Sequence, residues 1–127
     1  MANDPQVSVV IIAYNRKNDL IECLNSLFNQ DFKFMEIVVI NNGSDDGTSE
    51  SIAKYYPQVK IIDHSENIGA CEARNEGILQ AKGKYIWFLD SDTEILEPTF
   101  LSTLLNTLEE HPEIGVIGGE AVLDEEN

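Results

Sequence analysis

Two carboxylates one residue apart, Asp90 and Asp92, close the run Tyr85-Ile86-Trp87-Phe88-Leu89-Asp90-Ser91-Asp92. The residues before them are aromatic or branched and apolar. That pattern predicts a strand buried on both faces, delivering the two acids to its carboxyl end. Alternate residues of an extended strand point the same way, and a turn lets both carboxylates converge on one point. Two hard oxygen donors, with room left for water and phosphate, suit Mg2+ or Mn2+ held jointly by protein and ligand. An isolated Asp-x-Asp also serves as a turn cap followed by a helix cap, so the pair needs support from other strand ends.

The rest of the chain predicts those strands. Val7-Ser8-Val9-Val10-Ile11-Ile12-Ala13 is β-branched and nearly all apolar, as a central strand is, and it stops at Tyr14-Asn15-Arg16. Leu20, Ile21, Leu24, Leu27 and Phe28 then recur at helical spacing, predicting a helix over 17–29 with Asn15 or Asn18 as N-cap. A second strand over 36–41 runs into Asn42-Gly43-Ser44-Asp45-Asp46-Gly47-Thr48, rich in residues that make tight turns and begin helices. Asp45 and Asp46 read as turn and cap residues. A short helix over 49–56 ends at Pro57, and a third strand covers 59–63.

Ala70, Ala73, Gly77, Ile78 and Ala81 line one face of a helix over 70–80, where small residues allow close approach to a sheet or ligand. After the strand 85–89, Pro98 opens a helix with the stripe Leu101, Leu104, Leu105 and Leu108. Ile114-Gly115-Val116-Ile117-Gly118-Gly119 reads as a short, glycine-broken fifth strand, and the acidic tail 124–127 as frayed. Strand and helix alternate throughout, the signature of a mainly parallel sheet covered by helices on both faces. Right-handed crossovers place every strand-to-helix loop on one rim.

Composition narrows the partners. The 127 residues make one domain, long enough to bury roughly two thirds of the unfolded surface. Eight basic against 23 acidic residues give a net charge of −15, which repels nucleic acid and anionic membranes. The same field repels phosphorylated ligands unless a cation or backbone donors offset it. Cys23 and Cys71 match neither a zinc nor a redox spacing and read as small buried hydrophobes; His64 and His111 read as surface residues. The N-terminus lacks the pattern of a signal peptide, and no apolar run approaches the ~18 residues a membrane span needs.

Four loops should therefore meet: 14–16, 41–48, 64–69 and 90–93. They bring an aromatic ring, side-chain amides, glycines and a carboxylate pair, a composite suited to a nucleobase and a metal-bound diphosphate. Residues 7–15, the run Glu36-Ile37-Val38-Val39-Ile40-Asn41-Asn42-Gly43-Ser44-Asp45-Asp46-Gly47-Thr48, the run Asn67-Ile68-Gly69 with Ala73-Arg74-Asn75-Glu76-Gly77, and residues 85–92 resemble, in this order, the family 2 glycosyltransferases of GT-A fold.

That resemblance implies a Rossmann-like α/β nucleotide-diphospho-sugar transferase fold, truncated, with residues 1–127 forming a single donor-binding domain and the acceptor half absent. It implies inverting transfer from a UDP- or dTDP-type sugar, aided by Mn2+ or Mg2+, to a glycan or lipid-linked acceptor held by the missing region, in polysaccharide biosynthesis. Ile12, Ala13 and Tyr14 would border the base, with Asn15, Gly69 and Ser91 in the donor site. Asn42 stands where an aspartate usually bonds the base, and Asn41 replaces another frequent aspartate. Arg74 would be the local cation, unless it pairs structurally with Glu72, Glu76 or an aspartate. Asp90 would face the ribose or sugar, and Asp92, with Asp90 beside it, would hold the metal.

The family's general base belongs to the following half of the fold. Glu120 and Asp124 are the nearest acids here, and neither sits in a matching motif. Alone, the chain should bind donor weakly without turnover. The expected compartment is the cytoplasm, with peripheral attachment at the inner membrane face in a longer protein. Two rivals remain: a non-catalytic nucleotide-sugar-binding or interaction module, and a receiver-like Mg2+-binding signalling domain. The latter wants an acidic pair where this chain has Tyr14 and Asn15.

Overall fold

The β-branched runs pair side by side as parallel strands, and each is followed by a helix that returns the chain to the opposite edge. The computed structural model describes residues 4–122. It contains β1 (Val7–Ala13), α1 (Lys17–Phe28), β2 (Met35–Asn42), α2 (Thr48–Tyr55), β3 (Lys60–His64), α3 (Ala70–Gln80), β4 (Tyr85–Asp90) and α4 (Phe100–Glu110). The sheet order is β3-β2-β1-β4, with every neighbouring pair parallel. All four strands therefore end on the same rim, where open α/β sheets bind ligands.

Side-chain alternation divides the core in two. Val7, Val9, Ile11 and Ala13 of β1 join Ile37, Val39 and Leu89 beneath Leu20, Cys23, Leu24 and Leu27 of α1, Ile52 of α2, and Leu101 and Leu105 of α4. The opposite face holds Val38 and Ile40 against Ala73 of α3, with Ile12, Ile62 and Ile68 around them. Fully burying each leucine of α1 contributes about 1.5–3 kcal/mol before entropy is counted. The small residues of α3 have the expected consequence: a Cβ added at Gly77 would lie 2.3 Å from Val10 Cγ1. Any larger residue there would push α3 off the sheet.

Several expectations need correction. β4 is an edge strand, not one buried on both faces: Ile86 is 38% and Phe88 46% exposed, because α3 covers β1 and β2 but does not reach them. The run 114–119 forms no strand; its glycines give it little to pack, and it finds no pairing partner among the described residues. Asp124 and the tail 124–127 lie outside the described residues. Cys23 is buried as expected, but Cys71 is exposed because it sits on the outer face of α3. Helix α1 takes no cap from Asn15 or Asn18; its N-cap residue is Arg16, without a side-chain bond. Helix α4 starts at Phe100, two residues past Pro98.

Candidate functional site

Strand register sets the site's floor. Ile12 pairs with Asp90 on one side and Ile40 on the other, and Ala13 pairs with Asn41. One residue further out, Asn41 pairs with Asp63 and Asn42 with His64. Four residues proposed for the donor site, Ile12, Ala13, Asn41 and Asp90, are thus brought to the same edge of adjacent strands.

On the β2 side the loops are bonded to one another. The Asn41 amide donates to Asp63 Oδ1 (2.9 Å), whose other oxygen accepts from Ser49 Oγ (2.8 Å). Asn42 is only 2% exposed, and both ends of its amide are engaged. Its Nδ2 donates to Asn67 Oδ1 (2.9 Å) and, at 3.5 Å, to the Gly69 carbonyl, while its Oδ1 accepts from Ile68 N (2.8 Å). Asn67 Oδ1 also accepts from Gly69 N (2.8 Å). Direct reading of a base by Asn42 would therefore require exchanging these bonds.

Gly43 makes that junction possible. Its φ is +83°, and an added Cβ would come within 2.7 Å of the Glu66 carbonyl carbon.

The loop after β1 is tied into the same network. Asn15 adopts a left-handed φ of 51°, rare for a non-glycine residue. Its backbone N–H donates to Ser44 Oγ (3.0 Å), and its Oδ1 accepts from Asp45 N (2.9 Å). Asp46 accepts from Lys17 N (3.0 Å), from Thr48 N (3.1 Å) and from the Thr48 hydroxyl. It therefore caps the first residues of α1 and α2 together, a stronger form of the cap expected of it. Burial alone would raise its pKa, but the bonds from the Thr48 hydroxyl and the Lys17 and Thr48 N–H groups hold it below the usual carboxylate range.

The β4 side is arranged differently. Asp90 and Asp92 are exposed, and among the described residues neither carboxylate makes a hydrogen bond or ion pair. Thr93 N donates to the Asp90 carbonyl (3.0 Å), closing a turn that carries both acids, with Ser91 buried inside it. Cys23 lies directly behind. Its pKa is pushed up to about 12, first by burial and then by the charges of Asp92 and Asp90, so both carboxylates lie near this point of α1.

The donor set fits a divalent cation only in part. No group of three or more His, Cys, Asp or Glu side chains gathers to hold a metal among the described residues. Two free carboxylates would leave most of an octahedral shell to water and ligand oxygens, as Mg2+ and Mn2+ sites at phosphates do.

The remaining predicted residues divide by exposure. Tyr14 (51% exposed), Asn15, Gly69 and Arg74 are open to solvent, whereas Ala13, Asn41, Asn42 and Ser91 are buried. Gly69 has a φ of +86°, and an added Cβ would meet nothing within 4 Å, so it faces open space. Arg74 makes no ion pair among the described residues; Glu76, one of its expected partners, instead meets His64 Nε2 at 2.5 Å. His64 is accordingly half-buried rather than a free surface residue. Asp63, Asn67 and Ser44 were missed as organisers of this rim. The signal that could have found them is the density of Asn, Asp and Ser at three successive strand ends.

Residues 8–123 match the family described as Glycosyl transferase family 2. An uncharacterized glycosyltransferase of Escherichia coli (strain K12), YibD, is 43% identical over 109 residues, covering 83% of this chain and 31% of its own length. Among solved structures, S. aureus TarS 1-349 in complex with UDP-GlcNAc superposes with a TM-score of 0.77 at 29% identity, over 94% of this chain and 37% of that one. The mannosyltransferase PcManGT from Pyrobaculum calidifontis, in complex with GDP-Man and Mn2+, gives 0.75 at 25% identity, over 83% and 32%. The chain thus spans about a third of the length of each of these three proteins.

Proposed function

Because the chain belongs to glycosyl transferase family 2 and has the GT-A fold, we propose that it is the donor-binding part of a sugar transferase that uses a UDP- or dTDP-linked sugar with Mn2+ or Mg2+. One observation supports this most: two unpartnered carboxylates, Asp90 and Asp92, stand at the end of β4 while three other loops are tied together along the same rim.

In this reading Tyr14 offers its ring to the base, with the backbone of Ile12 and Ala13 beside it. Asn15 and Gly69 present exposed backbone at the rim, and Arg74 is the cation that answers the donor's negative charge. Asn41 and Asn42 contribute by holding the loops around the base, and Ser91 by forming the turn. Asp90 faces the ribose or sugar, and Asp92 with Asp90 holds the metal. A bound divalent cation would supply charge neutralisation on the diphosphate leaving group.

Inverting transfer also needs a base to deprotonate the acceptor. Glu120 is exposed in an irregular segment and Asp124 lies outside the described residues, so neither is assigned that role. We place the base and the acceptor site, for a glycan or lipid-linked acceptor, in polypeptide beyond this segment. The isolated chain should then bind donor without turnover. The compartment assigned in this reading is the cytoplasm; among the described residues no helix is long and apolar enough to cross a membrane.

A thermal-shift panel of nucleotide-sugars with and without Mn2+ tests the reading, since a ligand of the folded state raises apparent stability by mass action. UDP- or dTDP-linked compounds should lead, and only with the metal. A GDP-linked compound leading the panel would overturn the assignment of the base, and robust sugar transfer by this chain would overturn the placement of the catalytic base.

A further inference from the structure

We propose that Ser26 of α1 and Gln30, just past the end of that helix, are positioning residues for the turn that carries Asp90 and Asp92, fixing from behind the backbone that presents both carboxylates to a divalent cation. The inference rests on reading those carboxylates as cation ligands.

Residues 91–99 contain neither helix nor strand, so no backbone ladder holds this segment in place. Its anchors come instead from α1 and the residues that follow it. Ser26 Oγ donates to the Cys23 carbonyl (2.7 Å) and accepts from Ile95 N (3.0 Å). Gln30 Nε2 donates to the Glu97 carbonyl (2.8 Å), and its Oε1 accepts from Leu101 N (3.0 Å). Asp31 N adds a bond to the Pro98 carbonyl (2.9 Å). At the head of the segment, the Cys23 thiol lies 3.8 Å from the Asp90 carbonyl, a weak contact. The end of α1 and the turn after it thus grip the chain at Ile95, Glu97, Pro98 and Leu101, soon after the two acids.

Packing alone does not call for these side chains. Ser26, beside Cys23 and Leu27 in α1, is 7% exposed, and Gln30 just past the helix is 1% exposed. An amide in such a place is costly unless both its ends are bonded, and here both are. Gln30 also does for α4 what a cap residue would. Thr99, at the N-cap position, makes no side-chain bond, and Gln30 accepts the N–H of the second helical residue instead.

The reason for the rigidity is electrostatic. Two carboxylates in one turn, within a chain of net charge −15, repel each other, and an unanchored segment would relax by splaying them apart. Anchoring keeps them poised for a cation. Groups that orient metal ligands in this way act through geometry, and the loss shows in metal affinity.

The test is a Mn2+ titration of the 127-residue chain in the presence of UDP, following free Mn2+ by electron paramagnetic resonance. Ser26→Ala and Gln30→Met should each weaken Mn2+ binding by about 10-fold or more, the usual effect of removing a group that orients a metal ligand. Ser26→Thr, which keeps the hydroxyl, should bind close to wild type. Leu27→Val, a core change in the same helix, should lower the melting temperature yet leave Mn2+ affinity unchanged. The proposal is overturned if Ser26→Ala and Gln30→Met bind Mn2+ as wild type does. It is equally overturned if Leu27→Val weakens binding as much as they do. A wild-type chain that binds no Mn2+ defeats the cation reading itself, a separate result.

Discussion

The two halves of the rim solve the problem of polar loops in opposite ways. Around β2 and β3, amides and carboxylates are bonded to neighbouring loops: Asn41 to Asp63, Asn42 to Asn67 and Ile68, Asp46 to Lys17 and Thr48. After β4, the two carboxylates have no partner among the described residues and the backbone behind them is anchored instead. The first half is rigid through its functional groups, whereas the second is rigid in spite of them. Groups engaged with one another stabilise a fold, and groups left free in a fixed frame are available to a ligand. Substitutions in the two halves should therefore affect different observables.

The largest expected effect is on binding alone. Asp92→Ala should abolish Mn2+-dependent UDP binding, because a cation at the diphosphate contributes several kcal/mol. Stability should barely move, within the ±0.5 kcal/mol or so typical of an exposed site without partners. A marked fall in melting temperature for Asp92→Ala would erase the distinction between the halves.

Asn42→Ala should do the reverse. It leaves Ile68 N without its acceptor and removes one of the two donors to Asn67 Oδ1 in a part-buried junction, at a cost of about 1–3 kcal/mol in urea unfolding. UDP binding should weaken as well, but as a consequence of the freed loop. If Asn42→Ala weakened binding at unchanged stability, Asn42 would be a ligand contact rather than a brace.

Acid sharpens the same contrast at Asp46. Its folded pKa lies below the ordinary aspartate range, so its contribution to stability is complete above that range and is lost as pH falls through the folded pKa. Wild type should lose stability below about pH 4, where carboxylates of ordinary pKa begin to protonate. Asp46→Asn should be less stable than wild type at pH 7, and the gap should narrow as pH falls. Chemical denaturation at pH 7, 4 and 3 reads this directly, and a gap that widens in acid would show that Asp46 is not the group being protonated.

How much of this was legible in the sequence follows from what each residue type reports. β-branched runs locate strands because their preference is local, and all four were placed to within one residue at either end. The carboxyl-end loops followed from topology alone. The exposure of Ile86 and Phe88 was not legible, since an aromatic, branched strand reads the same in the centre of a sheet as at its edge. The run 114–119 shows the converse: strand-like residues form no strand without a neighbour to pair with. Asn41 and Asn42 were found as rim residues, but their engagement with Asp63, Asn67 and Ile68 depends on contacts across more than twenty residues of chain. Ser26 carries no sequence signal beyond its place among Cys23, Leu24 and Leu27, because a polar residue in a helix reads as its solvent face. Gln30 lies past the helix, and its burial depends on bonds to Glu97 and Leu101 about seventy residues away.

The smallest expected effect probes how firmly the β4 half is closed from behind. Cys23 is fully buried with a pKa pushed up to about 12, so at pH 8 it stays almost wholly in the unreactive thiol form. Cys71, exposed on α3, should react with a thiol reagent at once, and Cys23 only after denaturant is added. Burial outranks the charges of Asp92 and Asp90 in raising that pKa, so Asp92→Asn should leave Cys23 as slow as before. Should Asp92→Asn make Cys23 reactive in the folded chain, the charge of the turn rather than burial would be what keeps the thiol inert, and the contrast between the two halves would fail where it is most specific.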